Sequence, residues 1–344
     1  MTDTAAAPLA LRLSICIPTY NFGAFIGDTL ASIVPQLADG VEIVVLDGGS
    51  TDNTAEVVRS FDHPAIRYHR QDERGGIDHD MWRTVELGRG EYCWIFCADD
   101  VMKPDAVRTV LDRIGSGCDL YLCGMTLCGL DMVPLRDHRV AQIPQDREFN
   151  LADERERREY FALAQTTTAF FSFAGSLIVR KRSWDAAGPD QSFYGSLWAH
   201  VAQILRMLPN GLRLHYIARP LLLKRTENDS FMDRGLANRY AIAIDGYHGL
   251  ASAYFPEQSP EARHIRRVVT NEFPPWVLLA TKVDGRRRGR GDEATVDRLA
   301  AKAYADPTPR NRLWRLAYRA TPLRAFAAAQ AVNRRVVAPL RARV

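Results

Sequence analysis

At 344 residues, 47% hydrophobic and 25% charged, the chain has the composition of an ordinary soluble protein, with material for one large or two ordinary domains. No stretch approaches 18 consecutive apolar residues, so no spanning helix is expected, and "MTDTAAAPLALRLSICIP" lacks the basic n-region and unbroken apolar core of a signal peptide. The net charge of +4 is uneven: residues 311–344 carry eight arginines and no acid, which leaves −4 on the first 310 residues.

In chain order, "LRLSICI" (11–17) is a β-rich run closed by Pro18, and residues 23–36 follow with helical apolar spacing at Phe25, Ile26, Leu30, Ile33 and Val34. "VEIVVL" (41–46) predicts a second strand, then the turn "DGGSTDNT" and a helical "AEVVRSF". "AIRYHR" (65–70) predicts a third strand, 78–88 a helix, and "YCWIFC" (92–97) a fourth strand that stops at Asp99 and Asp100. Pro104 suits the first turn of a further helix over 104–114. This β-α-β-α order predicts an α/β fold with a mainly parallel sheet flanked by helices.

The second half is less regular. "DLYLCGMTLCGL" and "FFSFAGSLIVRK" read as longer, antiparallel-type strands, and "ERERREYF" as a solvated helix face. "SLWAHVAQILRML" (196–208) reads as an amphipathic helix with Ser196 as N-cap, "LRLHYIARPLLLK" as a strand pair, and everything after about 236 as helical. The six cysteines (Cys16, Cys93, Cys97, Cys118, Cys123, Cys128) lie mostly in strand-like runs without zinc-type CxxC pairs, so reduced, buried thiols in the cytoplasm are expected.

Chemistry gathers at strand ends, where parallel sheets bind ligands. Asp47, Asp99 and Asp100 each follow a strand, and "DERGGIDHDMW" (72–82) brings Asp78 and Asp80 to the same edge. Two adjacent carboxylates can simply favour the start of the next helix. They also repel and raise each other's pKa unless a cation compensates, and Mg²⁺ takes one or two carboxylates together with substrate phosphates. There is no GxGxxG after the first strand and no GxxxxGK[ST], which argues against a dinucleotide-binding oxidoreductase and a P-loop enzyme.

"SICIPTYN", "VEIVVLDGGSTDNT", "DERGGIDHD" and "GRGEYCWIFCADD" stand in the order and spacing of family 2 glycosyltransferases with the GT-A fold, and the resemblance covers roughly residues 11–115. It implies a GT-A nucleotide-diphospho-sugar transferase fold over 1–235, with 11–115 the nucleotide-sugar half, 116–235 the acceptor half and 236–344 a helical extension. It implies inverting transfer of a hexosyl or deoxyhexosyl group from a nucleotide-sugar donor, with Mg²⁺ or Mn²⁺. By analogy Asp47 contacts the base or ribose, Pro18, Thr19 and Tyr20 line that pocket, Asp78 stands near the nucleotide, and Asp99 and Asp100 form the DxD-type metal motif with Asp100 the direct ligand.

The chain departs from the family pattern where the usual D-D-G-S is D-G-G-S, with Gly48 in place of an acid. The usual E-D pair that supplies the base is replaced by "FYGSLWAHV" (193–201). That segment, with "NDSF" (228–231) downstream, is similar to the abequosyltransferase-like branch that builds O-antigen and related surface polysaccharides. No QxxRW motif appears, so a processive synthase is not expected.

Inverting transfer needs a proton acceptor for the attacking hydroxyl. His200, held neutral in the first turn of the 196–208 helix, is the leading base candidate, followed by Asp190 and then Asp185, with a structural histidine as the alternative. Lys224 and Arg225, after the strand "PLLL", could reach the departing diphosphate or simply end a solvated strand. In "NRLWRLAYRA" (311–320) Arg312, Arg315 and Arg319 flank Leu313, Trp314, Ala317 and Tyr318, and "LRAFAAAQAVNRRVVAPLRARV" repeats the mixture. This reads either as a packed helix with an Arg-rich face or as a peripheral anchor on an anionic membrane, where a lipid-linked saccharide acceptor would lie. Nucleic acid fits poorly. Competing functions are a sugar-nucleotide nucleotidyltransferase, which lacks its glycine-rich loop here, and a degenerate nucleotide- or glycan-binding module.

Overall fold

The computed structural model describes residues 10–228 and 234–332. They fall into two compact units, Met1–Asn228 and Asp229–Val344.

The first unit is built on a ten-stranded sheet: β1 (Leu13–Thr19), β2 (Val41–Asp47), β3 (Ile66–Arg70), β4 (Tyr92–Ile95), β5 (Val101–Met102), β6 (Leu120–Cys128), β7 (Pro134–Asp137), β8 (Arg147–Asn150), β9 (Leu177–Arg180) and β10 (Arg213–Arg225). The main order is β3-β2-β1-β4-β9-β6-β10-β5, with β7 on β6 and β8 on β10. Strands β1 and β2 are buried at every position, as expected for apolar strands covered on both faces. Their pairing is parallel and in register from Leu13↔Val41 to Thr19↔Asp47, and β4 runs parallel to β1 on the other side. Strand β9 is antiparallel to both β4 and β6, while β6 and β10 are parallel. The carboxyl ends of β1, β2, β4, β6 and β10 therefore share one edge.

The second half departs from the sequence-based expectation in three places. Residues 167–170 and 174–176 form short 3₁₀ turns, so only Leu177–Arg180 of "FFSFAGSLIVRK" is strand. The "strand pair" at 212–224 is one continuous strand, with register shifts on either side of Pro220. Proline has no N–H to donate, and β10 tolerates it because β8 pairs only 213–216 and β5 only 222–223. The helix placed at 196–208 runs from Ala199 to Arg206, because Leu197 takes φ 73° and breaks the turn. Ser196 is thus no N-cap of this helix; its hydroxyl accepts from Trp198 N at 3.1 Å.

The second unit has six helices among its described residues: Leu236–Tyr254, Pro260–Glu272, Pro275–Arg287, Glu293–Ala303, Pro309–Ala320 and Leu323–Val332. No helix of the described residues is long and apolar enough to cross a membrane.

Candidate functional site

The first loop, after β1, and the second, after β2, are laced together. Gly48 N donates to the Thr19 carbonyl, Asn21 N to Ser50 Oγ at 2.8 Å, Phe22 N to Thr54 Oγ1 and Gly23 N to Asp52 Oδ2 at 3.0 Å. A Cβ on Gly23 would lie 2.9 Å from Thr54 N, so this approach needs glycine. Thr19 is buried and its Oγ1 has no protein partner, which leaves a hydroxyl at the strand tip for a ligand. Pro18 is buried within β1, and the half-exposed Tyr20 ring lies under the Arg74 guanidinium at 4.0 Å.

Asp47 occupies the expected place with a different set of contacts. It is fully buried; Oδ1 accepts from Ser50 N at 2.7 Å and Oδ2 from Tyr68 Oη at 2.6 Å. The carboxylate holds the second loop and the third strand. Burial, then Asp47, pushes the Tyr68 phenol up to about 12. The "missing" acid at Gly48 has a steric reason: a Cβ there would stand 2.7 Å from Asp80 Oδ2. Asp80, held by Gln71 Nε2 at 2.6 Å, brings a buried carboxylate to that place from the helix Ile77–Leu87.

Two residues earlier on the same helix, Asp78 faces elsewhere. Its oxygens accept from the backbone N–H groups of Gly195, Leu197 and Ala199 at 2.8, 3.0 and 3.3 Å. Burial raises its pKa, and those three donors pull it down. Asp78 therefore pins the 195–199 loop of the second half onto the first.

Asp99 and Asp100 stand at the end of β4. Asp100 is 2% exposed; Oδ1 accepts from Arg225 N at 2.8 Å, while Oδ2 is buried without a partner. Burial, then the charge of Asp99, pushes its pKa up to about 8. Asp99 is raised by burial, and its Oδ2 accepts from Asn228 Nδ2 at 2.9 Å. Cys97 Sγ joins the two carboxylates, with donor atoms of all three within 4.8 Å of one another. An orphaned buried oxygen beside two further donors is what a divalent cation would complete. Asn228 belongs to "NDSF", whose remaining residues 229–231 lie outside the described residues.

The two cations after β10 part company. Lys224 Nζ lies 4.3 Å over the Phe173 ring, and its charge lowers the pKa of both Asp99 and Asp100. Arg225 is buried, donating to the Asp99 carbonyl at 3.0 Å, to Asp28 Oδ2 at 3.0 Å and to the Leu130 carbonyl. With three guanidinium bonds to protein groups, Arg225 fixes the Asp99–Asp100 backbone.

Of the base candidates, His200 is enclosed, while Asp190 is half-buried and Asp185 exposed. His200 is 6% exposed, and its Nε2 lies 3.1 Å from the Phe171 carbonyl, which can only accept; the proton therefore sits on Nε2 and Nδ1 is buried without a partner. Burial pushes the imidazole down to about 4. Asp190 caps a 3₁₀ turn, accepting from Ser192 N at 3.1 Å and Ser192 Oγ at 2.6 Å. Asp185 pairs with Lys181 one helical turn away. In the tail, Tyr318 is buried and donates to Asp297 Oδ1 at 2.9 Å, and Trp314 packs among Trp276, Tyr304 and Arg310. Tyr318 thus packs inward, and the exposed large apolar residues among the described residues of this unit are Leu313, Leu316 and Trp276.

This sheet order, with its edge of strand-end loops and carboxylates, is that of the GT-A fold. The family model for glycosyl transferase family 2 matches residues 14–182. Abequosyltransferase RfbV of Salmonella typhimurium (strain LT2) is 32% identical over 275 residues, covering 78% of this chain and 82% of the relative. Glycosyltransferase GlyG of Streptococcus pneumoniae serotype 4 is 28% identical over 104 residues, 30% of this chain and 35% of that one. Among solved structures, S. aureus TarS 1–349 in complex with UDP-GlcNAc aligns with TM-score 0.59 at 14% identity, covering 94% of this chain and 91% of the other. Mannosyltransferase PcManGT from Pyrobaculum calidifontis, in complex with GDP-Man and Mn²⁺, aligns with TM-score 0.53 at 18% identity, covering 95% and 88%. The chain belongs to the family 2 glycosyltransferases and is a nucleotide-sugar-dependent glycosyltransferase.

Proposed function

We propose that the protein transfers a sugar, with a divalent cation and with inversion, from a nucleoside diphosphate donor to a lipid-linked saccharide in surface polysaccharide synthesis. The observation that carries the metal is Asp100 Oδ2, buried, partnerless and adjacent to Asp99. Asp100 and Asp99 would hold Mg²⁺ or Mn²⁺, and such an ion supplies positive charge to a diphosphate leaving group. The relative's activity as an abequosyltransferase supports a surface-saccharide acceptor.

The chain's own residues then divide the work. Thr19 Oγ1 offers a hydroxyl to the nucleotide, with Tyr20 beside it, and Asp47 and Asp80 hold the loops that shape that pocket. Lys224 adds a positive charge next to the carboxylate pair. Asp78 fixes the 195–199 loop, and His200, neutral across the working pH range, anchors the Phe171 carbonyl as a positioning residue. Asp190 sets the turn that precedes that loop.

We further place the protein at the inner face of the cell membrane. Leu313 and Leu316, 63% and 64% exposed, share the outer face of the helix Pro309–Ala320 with Arg312 and Arg319, an apolar pair set among cations as an anionic leaflet would require.

The deciding experiment measures nucleoside diphosphate release from a panel of sugar nucleotides with Mn²⁺, with and without EDTA. Metal-dependent release from one donor is expected; release of pyrophosphate from a nucleoside triphosphate, or undiminished release in EDTA, would overturn the reading.

A further inference from the structure

In the C-terminal unit, "RHIRR" places Arg263 and Arg267 at i and i+4 on the helix Pro260–Glu272, with Thr270 and Asn271 continuing the same face. Like charges one turn apart cost an isolated helix ~0.2–0.5 kcal/mol, so helix formation does not call for them. The helix Pro309–Ala320 brings a third arginine to this face: Arg310 donates to Asn271 Oδ1, and its guanidinium lies 4.0 Å over the Trp314 ring. Arg263, His264, Arg267, Asn271, Thr308 and Arg310 line a cavity of about 580 Å³. Asp306 is the one acid among its lining residues, and Arg266 Nε already holds both its oxygens, at 3.1 and 2.9 Å. Burial, then the charge of Arg310, lowers the pKa of Arg267, so the two guanidiniums oppose each other. The amino end of a twelve-residue helix adds its own positive field at the same wall.

Three arginines lining one cavity beside a helix start make a phosphate-binding arrangement. The volume is that of a pocket for an organic ligand and exceeds the needs of an inorganic ion. We propose that this cavity binds the phosphate or diphosphate group of a phosphorylated organic molecule, at a site separate from the donor carboxylates. The group has two sources, a polyprenyl headgroup or a soluble phosphate ester, and the chemistry of recognition is the same for both.

The test is calorimetric titration of the full chain in EDTA, which keeps divalent ions off Asp99 and Asp100. Inorganic pyrophosphate should bind saturably, and Arg267→Gln/Arg310→Gln should weaken it by about tenfold or more. Asp100→Asn should bind as the wild type does. Arg263→Gln, at an exposed position, should weaken binding by a smaller factor and guards against misfolding of the double variant, as does its unliganded melting curve. Farnesyl diphosphate binding tighter than pyrophosphate, with the same sensitivity to the arginine pair, would assign the site to a lipid headgroup; equal affinities would assign it to soluble phosphate. Absence of pyrophosphate binding, binding indifferent to the arginine substitutions, or binding lost in Asp100→Asn would each overturn the proposal.

Discussion

Asp47 and Asp100 are both buried acids at the carboxyl edge of one sheet, and they differ in how many of their lone pairs the protein uses. Asp47 has each oxygen hydrogen-bonded, one to the loop after β2 and one to a tyrosine of β3. Asp100 has one oxygen on a backbone N–H and the other enclosed with nothing opposite it. The first arrangement is complete without a ligand. The second is complete only with one, and burial beside Asp99 holds its proton to about pH 8 until a cation replaces it.

The substitution with the largest expected effect tests that contrast at Asp100. Asp100→Asn should abolish turnover and leave the metal-free melting temperature unchanged or raised, since it removes the cost of keeping a buried carboxyl protonated. EDTA should mimic it in the wild type. Asp47→Asn should behave in the opposite sense. Its Nδ2 cannot accept from Tyr68, and losing that charge-assisted bond should cost about 1–3 kcal/mol in urea unfolding, with turnover reduced but measurable. An Asp47→Asn protein of native stability and no activity would erase the distinction and return Asp47 to direct ligand contact.

His200 sharpens the comparison for a neutral group. His200→Gln, whose amide can still donate to the Phe171 carbonyl, should retain activity within about tenfold of wild type with an unchanged pH profile. A base would lose roughly 10²–10⁴-fold in either the Gln or the Ala variant. Stability should respond to pH as well. Because burial holds the folded imidazole near 4, below the ordinary value of 6.5, the unfolded chain binds more protons between those values. Stability contributed by the neutral ring is present above about pH 6.5 and is lost as pH falls toward 4, by up to about 3 kcal/mol. His200→Gln should flatten that part of the unfolding curve. The smallest effect is expected at the surface: Leu313→Ser/Leu316→Ser should leave turnover on soluble acceptors unchanged while reducing sedimentation with phosphatidylglycerol vesicles. Equal recovery of variant and wild type with the vesicles would remove the helix Pro309–Ala320 from membrane contact.

The first hundred residues were legible because each strand, turn and helix is specified by neighbours in sequence. Asp47 and Asp99–Asp100 could be placed at one edge because each follows a strand of a parallel sheet, while Thr19 entered through the family resemblance. Their hydrogen-bond partners could not, since Tyr68, Arg225 and Asn228 arrive from other strands and loops. Gly48 read as a lost acid because nothing local says that Asp80 takes its space. In the second half the pairing is long-range. Pro220 reads as a break between two strands until β8 and β5 are seen to leave one edge of β10 open there, and Leu197 gives no warning of its positive φ. The burial of Arg225 and Tyr318 was not legible for one reason: a charged or amphipathic side chain in a periodic pattern does not reveal which face the rest of the chain will cover.

The Asp78 clamp has a consequence for the order in which the molecule is made. The amides it holds lie 117 to 121 residues further along the chain. During synthesis the carboxylate leaves the ribosome well before the segment it will grip, and its own helix packs on strands that are already complete. The 195–199 loop is thus the later-made partner of the clamp, and its seat depends on a carboxylate made more than a hundred residues before it.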